Sequence, residues 1–300
     1  VRVTLGIALG RRADLVGAVW MIAAMAVFAI EDALIKVAAQ TLPVGQILIL
    51  LGLGGVAAFG GVARLSGQRL FPAEVLSRAM RVRAAFEIIG RLFYALAISM
   101  IPLSAATVIL QATPLVVVAG AAVIFGETVG WRRWTAILIG LSGVLVIVRP
   151  GAEGVSALLL LAVIGMIGFA GRDLASRAAP AGLSTAILGL YGFASIVVAG
   201  AALSVWQGAA FVAPDGEVAA CLLGAVLAGV AAYACLMKAM RTGDVSAVTP
   251  FRYTRLLFGI GLGVAVFEER VTGAMMLGSA LIVVSGLFIA WRGKQATAPR

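Results

Sequence analysis

Glu87 and Arg91 stand four residues apart in a stretch otherwise built almost wholly of apolar side chains, AAFEIIGRLFYALAISM. On a helix that spacing places the carboxylate and the guanidinium on one face, where they pair with each other or present both charges to a wet cavity. A free amino acid offers the complementary charges. A structural pair that only neutralises itself accounts for the same two residues equally well. Arg252, Tyr253 and Arg255 lie about two turns into another apolar stretch, deeper than side chains that reach back to the interface need to be. Two guanidiniums at that depth require partners, either a substrate carboxylate or Glu87, Asp244 or a helix C-terminus.

Polar groups recur at helical spacing elsewhere. Ser104, Thr107, Gln111 and Pro114 share one face of a helix, a stripe that faces protein or cavity, although such hydroxyls often bond only their own backbone. Trp20, Met21, Met25 and Phe28, with Met166 and Phe169, are either a soft lining for varied side chains or simply core. Tyr94 and Tyr233 bring hydroxyls to the same level. The candidate substrate-binding set is therefore Trp20, Glu87, Arg91, Tyr94, Thr107, Gln111, Tyr233, Arg252 and Tyr253. Glu31 and Asp32 fall near the end of an apolar segment beside Lys36, where solvation at the membrane boundary is expected. The chain has no histidine, so imidazole metal sites and imidazole proton relays are excluded and carboxylates must carry any proton coupling. Only Glu87 lies clearly inside a span, and an arginine one turn away favours its charged form, which points to uniport.

The elements that hold these residues follow from composition. Hydrophobic residues make up 62% of the 300 and charged ones only 12%, and the mean hydropathy is +1.11. A soluble domain needs roughly a quarter charged residues to cover its surface, so lipid is the outer solvent. Apolar segments fall near 16–37, 45–65, 83–100, 104–125 and 132–149, then 155–172, 182–205, 218–238, 245–267 and 272–291. Ten transmembrane helices are expected, the first too long for a signal-peptide core and so a retained anchor. Trp131, Trp134, Trp206 and Trp291 sit at span ends, as indoles prefer.

Of the 23 Lys and Arg, only Lys36, Arg149 and Arg270 fall in alternate loops that would face outward, and Arg91, Arg252 and Arg255 lie within spans. The rest gather on one side, which places both termini in the cytoplasm of a cell with this protein in its inner membrane. The net charge of +10 is not gathered into runs interleaved with aromatics, so a nucleic-acid partner is not indicated. Cys221 and Cys235 share one apolar segment about 21 Å apart along a helix, too far to pair, and read as packing residues.

The two halves resemble each other. FAIEDALIK (28–36) aligns with FAGRDLASR (169–177), matching Asp32 to Asp173 and Lys36 to Arg177. At a shift one residue longer, SAAT (104–107) through FGE (125–127) aligns with SAVT (246–249) through FEE (267–269), and Arg91 falls opposite Tyr233. An odd number of crossings per half, five, inverts the second copy relative to the first, as in many alternating-access carriers. The halves divide as 1–150 and 151–300.

A small-residue helix with a central Pro114, the ending Gly126-Glu127, and a Gly-rich helix closing at Ser142-Gly143 resemble the EamA repeat of the drug/metabolite transporter superfamily. The second copy departs from this pattern, with Leu256 where the proline would fall and Glu268 in place of the glycine, so equivalent kinks in the fourth and ninth helices are not implied. The resemblance implies an all-α membrane protein with ten helices around a central cavity, no bound cofactor and a small-molecule substrate. Size and polar content look similar to the amino-acid exporter branch. The resulting expectation is export of amino acids or similar metabolites by alternating access, with membrane lipid as the other partner and the oligomeric state open. Proton-coupled antiport is the alternative. No phosphate loop GxxxxGK[ST] occurs. An enzyme would need clustered nucleophiles or metal ligands that the sequence does not offer, and the inverted repeat argues against a channel.

Overall fold

The structure is a computed structural model that describes residues 2–127, 129–148, 155–180, 182–242 and 248–297. The first half comprises α1 (Arg2–Ala38), α2 (Val44–Leu65), a 3₁₀ turn at Ala73–Leu76, α3 (Arg78–Met100), α4 (Leu103–Leu110), α5 (Thr113–Phe125) and α6 (Trp131–Val148). The second comprises α7 (Val155–Arg177), α8 (Thr185–Gln207), α9 (Gly216–Thr242), a 3₁₀ turn at Thr249–Tyr253, α10 (Thr254–Phe267) and α11 (Gly273–Thr297). Helix is the form that satisfies every backbone donor without water.

Among the described residues, eight stretches are long and apolar enough to cross a membrane, with α4 and α5 counted together as one. Two more crossings complete the ten. The helix α3 carries Arg78, Arg81, Arg83, Glu87 and Arg91, which dilute its hydropathy, and α10 has 14 residues preceded by its 3₁₀ turn. Large apolar side chains such as Leu53, Val123, Leu145, Val198, Leu227 and Leu257 face outward, as lipid contact requires.

The most extensive helix contacts join the halves: α1 packs on α9, α2 on α8, α3 on α7 and α6 on α11, and α4 packs on α10. Exchanging the halves turns the α1–α9 pair into the α7–α3 pair and maps each remaining pair onto itself. This pairing is the signature of two repeats related by a two-fold axis. Glycine allows the closest of these approaches. A methyl at Gly168 of α7 would come 2.4 Å from the backbone nitrogen of Gly90 in α3, so these helices touch backbone to backbone.

Both members of the α4/α5 and 3₁₀/α10 pair are broken at matching places. The fourth crossing breaks at Gln111 and Ala112, and the ninth passes from 3₁₀ to α-helix at Tyr253 and Thr254, although Leu256 stands where Pro114 stands in the first copy. The break therefore survives the loss of the proline. The helix endings match as well: Gly126 closes α5 at φ 67° and Glu268 closes α10 at φ 51°, both left-handed. Glu268 is the one non-glycine residue in that region among the described residues, and it keeps the turn despite its side chain. The Glu269 N–H then bonds back to the Gly263 carbonyl at 3.0 Å, folding the chain end over α10.

Candidate substrate site

Between the repeats lies a cluster of nine buried or half-buried charges, drawn from α1 and α3 of the first half and from α7, the 3₁₀ turn and α10 of the second. On α3, Arg83, Glu87, Arg91 and Tyr94 follow one another at intervals of four, four and three, one continuous face. On α7, Phe169, Arg172, Asp173 and Ser176 occupy a face in the same way, and the Gly90–Gly168 contact brings the two faces together.

The pairs form an unbroken chain. The Glu31 carboxylate accepts from an Arg91 guanidinium nitrogen at 3.1 Å, and Arg91 stands 4.0 Å from Glu87. Glu87 lies 3.6 Å from Arg83 and 3.4 Å from Arg172. Arg172 donates twice to Asp173, at 2.8 and 3.0 Å, and the other Asp173 oxygen is 3.5 Å from Arg252. Arg83 also donates to Ser176 at 3.0 Å. A second group lies beside it, in which Asp32 accepts from Arg255 and from the Tyr94 hydroxyl, the latter at 3.1 Å. Rings line the branch points: the Arg172 guanidinium lies 4.8 Å over Phe169 and that of Arg255 lies 5.1 Å over Phe28.

Five guanidiniums thus face four carboxylates in a largely dry setting. Side-chain exposure is lowest at Glu31, at 0%, stays at 5% and 6% at Arg83 and Glu87, and is highest at Arg172, Asp173 and Arg252, at 21%, 23% and 27%. The most exposed members lie toward the end of the bundle at which α7 terminates. An ion pair at this depth is costly to break unless each partner finds a replacement at once. A ligand carrying both charges can supply both replacements, its carboxylate taking a guanidinium while its ammonium takes the released carboxylate.

The structure brings together several of the residues singled out from sequence and sets others apart. Glu87, Arg91 and Tyr94 are in the cluster, and Arg252 is at its mouth. Glu87 and Arg91 bond more closely to other partners than to each other. Tyr233 packs edge-on against Phe59 at 5.3 Å, within electrostatic reach of Arg83, Glu87, Arg172 and Asp173. The polar stripe of α4 faces α10. There Ser104 donates to Glu269, Thr107 sits against Gly259, and Gln111 donates to the Arg252 carbonyl at 2.9 Å, bracing the turn that carries Arg252. Trp20 stands in the α1–α9 seam with the Lys238 ammonium 4.1 Å over its ring. The Tyr253 hydroxyl is buried beside Gly286 of α11, with no hydrogen-bond partner among the described residues.

Glu31 and Asp32, expected at a solvated boundary, are instead 0% and 1% exposed, and Asp173 is a further carboxylate inside a span, so Glu87 is not the only one. Arg83 and Arg172, counted from sequence with the cytoplasmic basic residues at span ends, belong to helix interiors. Asp173 had a sequence signal, its alignment with Asp32. Arg172 had none beyond its neighbour. A groove between α6 and α11, lined by Trp131, Arg132, Ile139 and Trp291, holds no carboxylate and lies apart from the cluster.

A ten-crossing bundle of two inverted repeats, with paired charges buried where the halves meet, has the plan of a secondary transporter. The model of the EamA-like transporter family matches residues 15–149 and again 156–291, and the chain belongs to that family. It is a transporter rather than an enzyme. Among curated relatives it is similar to a riboflavin transporter of Rhizobium johnstonii, 27% identical over 63% of this chain and 62% of that one. A riboflavin transporter of Vibrio cholerae is 28% identical over 67% of each chain. An S-adenosylmethionine uptake transporter of Rickettsia felis is 24% identical over 72% of each. One solved structure superposes with a TM-score of 0.64 at 19% identity, covering 95% of this chain and 99% of that chain, a likeness of fold.

Proposed function

We propose that the protein carries amino acids or similar small zwitterionic metabolites across the inner membrane by alternating access, as an exporting uniporter whose halves are 1–150 and 151–300. The observation that carries this reading is the cluster itself, four carboxylates and five guanidiniums contributed by both repeats, with Arg172, Asp173 and Arg252 its most exposed members. A zwitterion can exchange into those pairs without leaving a charge bare. The relatives named for S-adenosylmethionine fit this chemistry in part, because that molecule carries an α-amino acid group, whose ammonium and carboxylate can enter such pairs, beside a cationic sulfonium. Each of the four carboxylates has a guanidinium within 4.0 Å, which supports a cycle without a proton. A uniporter runs down its substrate gradient, so the same site serves export from a loaded cytoplasm and uptake into a depleted one.

The positive-inside distribution supports cytoplasmic termini, and with them a site that faces the cytoplasm in this structure. A proton-coupled antiporter is the second reading, favoured by one observation: the second Glu31 oxygen is buried with no hydrogen-bond partner. Proteoliposomes decide between the two. Labelled amino acids, S-adenosylmethionine and riboflavin are screened for saturable flux, and the positive substrate is then equilibrated across a pH gradient. Uniport gives no net accumulation. Accumulation abolished by a protonophore and by Glu31→Gln or Glu87→Gln establishes antiport, and no saturable flux for any zwitterion overturns the substrate class.

A further inference from the structure

We propose that Lys36–Glu269 and Arg177–Glu127 are the two latches of the transport cycle, one device written twice by the internal repeat and placed at opposite ends of the bundle. The repeat pairs Lys36 with Arg177 and, at the shift one residue longer, Phe125 with Phe267 and Glu127 with Glu269. All three members recur in space as well as in sequence. At one end the Lys36 ammonium lies 3.7 Å from Glu269 and 5.3 Å over Phe267. At the other the Arg177 guanidinium lies 2.6 Å from Glu127 and 5.6 Å over Phe125.

The two copies differ in setting. Lys36 and Glu269 are 15% and 8% exposed, whereas Arg177 and Glu127 are 51% and 46% exposed. The buried copy grips the corner between α3 and α4. Lys36 donates to the carbonyls of Ile98 at 3.0 Å and Ile101 at 2.6 Å, the negative end of the α3 dipole. Glu269 accepts from the backbone N–H groups of Leu103 at 2.6 Å and Ser104 at 2.9 Å, and from the Ser104 hydroxyl at 2.6 Å, the positive end of α4. Ala38, Leu42, Ile98, Ile101 and Leu103 are buried around it, so this end is shut.

Inverted repeats exchange their conformations as access alternates. In the opposite state the Lys36 latch takes the exposed setting that Arg177–Glu127 has here, and Arg177–Glu127 takes the buried one. The latches are positioning residues: neither is in the charge cluster, and each biases the same equilibrium in the opposite direction.

The inference rests on alternating access but needs no substrate to test, so its failure is distinguishable from failure of the proposed cargo. In the full chain with Cys221→Ala and Cys235→Ala, Ile98→Cys is placed under the Lys36 latch and its reaction rate with a charged maleimide is measured. Lys36→Met and Glu269→Gln are expected to raise that rate about tenfold, because they depopulate the state closed at this end, while Lys36→Arg stays near the parent rate. Arg177→Met is expected to lower the rate, and the double change Lys36→Met with Arg177→Met to return it toward the parent value. A general loosening of the fold would raise the rate in every variant. An unchanged rate in both Lys36→Met and Glu269→Gln, or a rise in Arg177→Met, overturns the proposal.

Discussion

Replacing Asp32 with Asn and Arg255 with Met, singly and together, tests whether the buried pairs join the two repeats as the structure places them. The side chains of Asp32 on α1 and Arg255 on α10 are 2% and 14% exposed, and the carboxylate also accepts from Tyr94 of α3 at 3.1 Å. Three elements from both halves therefore converge on one carboxylate. Removing either charge leaves the other buried without its counter-ion, at about 3–5 kcal/mol of stability. Met in place of Arg255 retains most of the aliphatic stem while removing the guanidinium that lies over Phe28, so the loss reports charge more than volume. With both charges gone no unpaired ion remains, and the double variant is expected to lose less than the two singles combined, by about 2 kcal/mol. The assay is reversible unfolding in mixed micelles of the four proteins of the cycle. Additivity within about 0.5 kcal/mol would refute the pairing.

Three further substitutions follow from local geometry. Tyr253→Phe removes a buried hydroxyl that has no partner and is expected to leave flux unchanged and stability equal or about 1 kcal/mol higher, as read from unfolding curves; lost flux would place the hydroxyl on the substrate. Gly263→Ala puts a methyl 2.5 Å from a Glu269 carboxylate oxygen and is expected to cost about 1–3 kcal/mol, checked by thermal unfolding against Gly261→Ala, which meets no atom within 4 Å. Glu268→Gly relieves a left-handed residue at φ 51° and is expected to raise stability by about 1 kcal/mol, less the added flexibility of the unfolded chain; a drop would show that the exposed carboxylate has a partner.

The helical crossings were legible because lipid imposes one rule on every segment, a long apolar helix with charge at its ends. The repeat was legible for a similar reason: Asp32 with Asp173 and Lys36 with Arg177 keep their register through the inversion. Depth was not legible. Position along α1 suggested that Glu31 and Asp32 meet solvent, yet the α3–α4 corner and the folded-back end of α10 cover that end of the helix. Partner choice was equally hidden. Spacing suggested a pair between Glu87 and Arg91, but backbone contact at Gly90 and Gly168 brings Arg172 to Glu87, and α1 brings Glu31 to Arg91. Such contacts depend on the packing of helices distant in sequence. The polar stripe of α4 had the periodicity of a cavity lining and serves α10 instead, because periodicity identifies a buried face without naming what buries it.

The most direct test of the charge cluster as the substrate site is saturable flux in proteoliposomes carrying Arg172→Gln, with Lys238→Gln as the control outside the cluster. Arg172 is 21% exposed, and without it Glu87 keeps Arg83 and Arg91 and Asp173 keeps Arg252, so its loss leaves no bare carboxylate and is expected to spare folding while removing a group that the substrate carboxylate would take. With the zwitterion that gives flux in the parent, Arg172→Gln is expected to raise KM at least about tenfold at an unchanged melting temperature, and Lys238→Gln to change neither. An unchanged KM in Arg172→Gln, with saturable flux intact, would show that the substrate binds elsewhere.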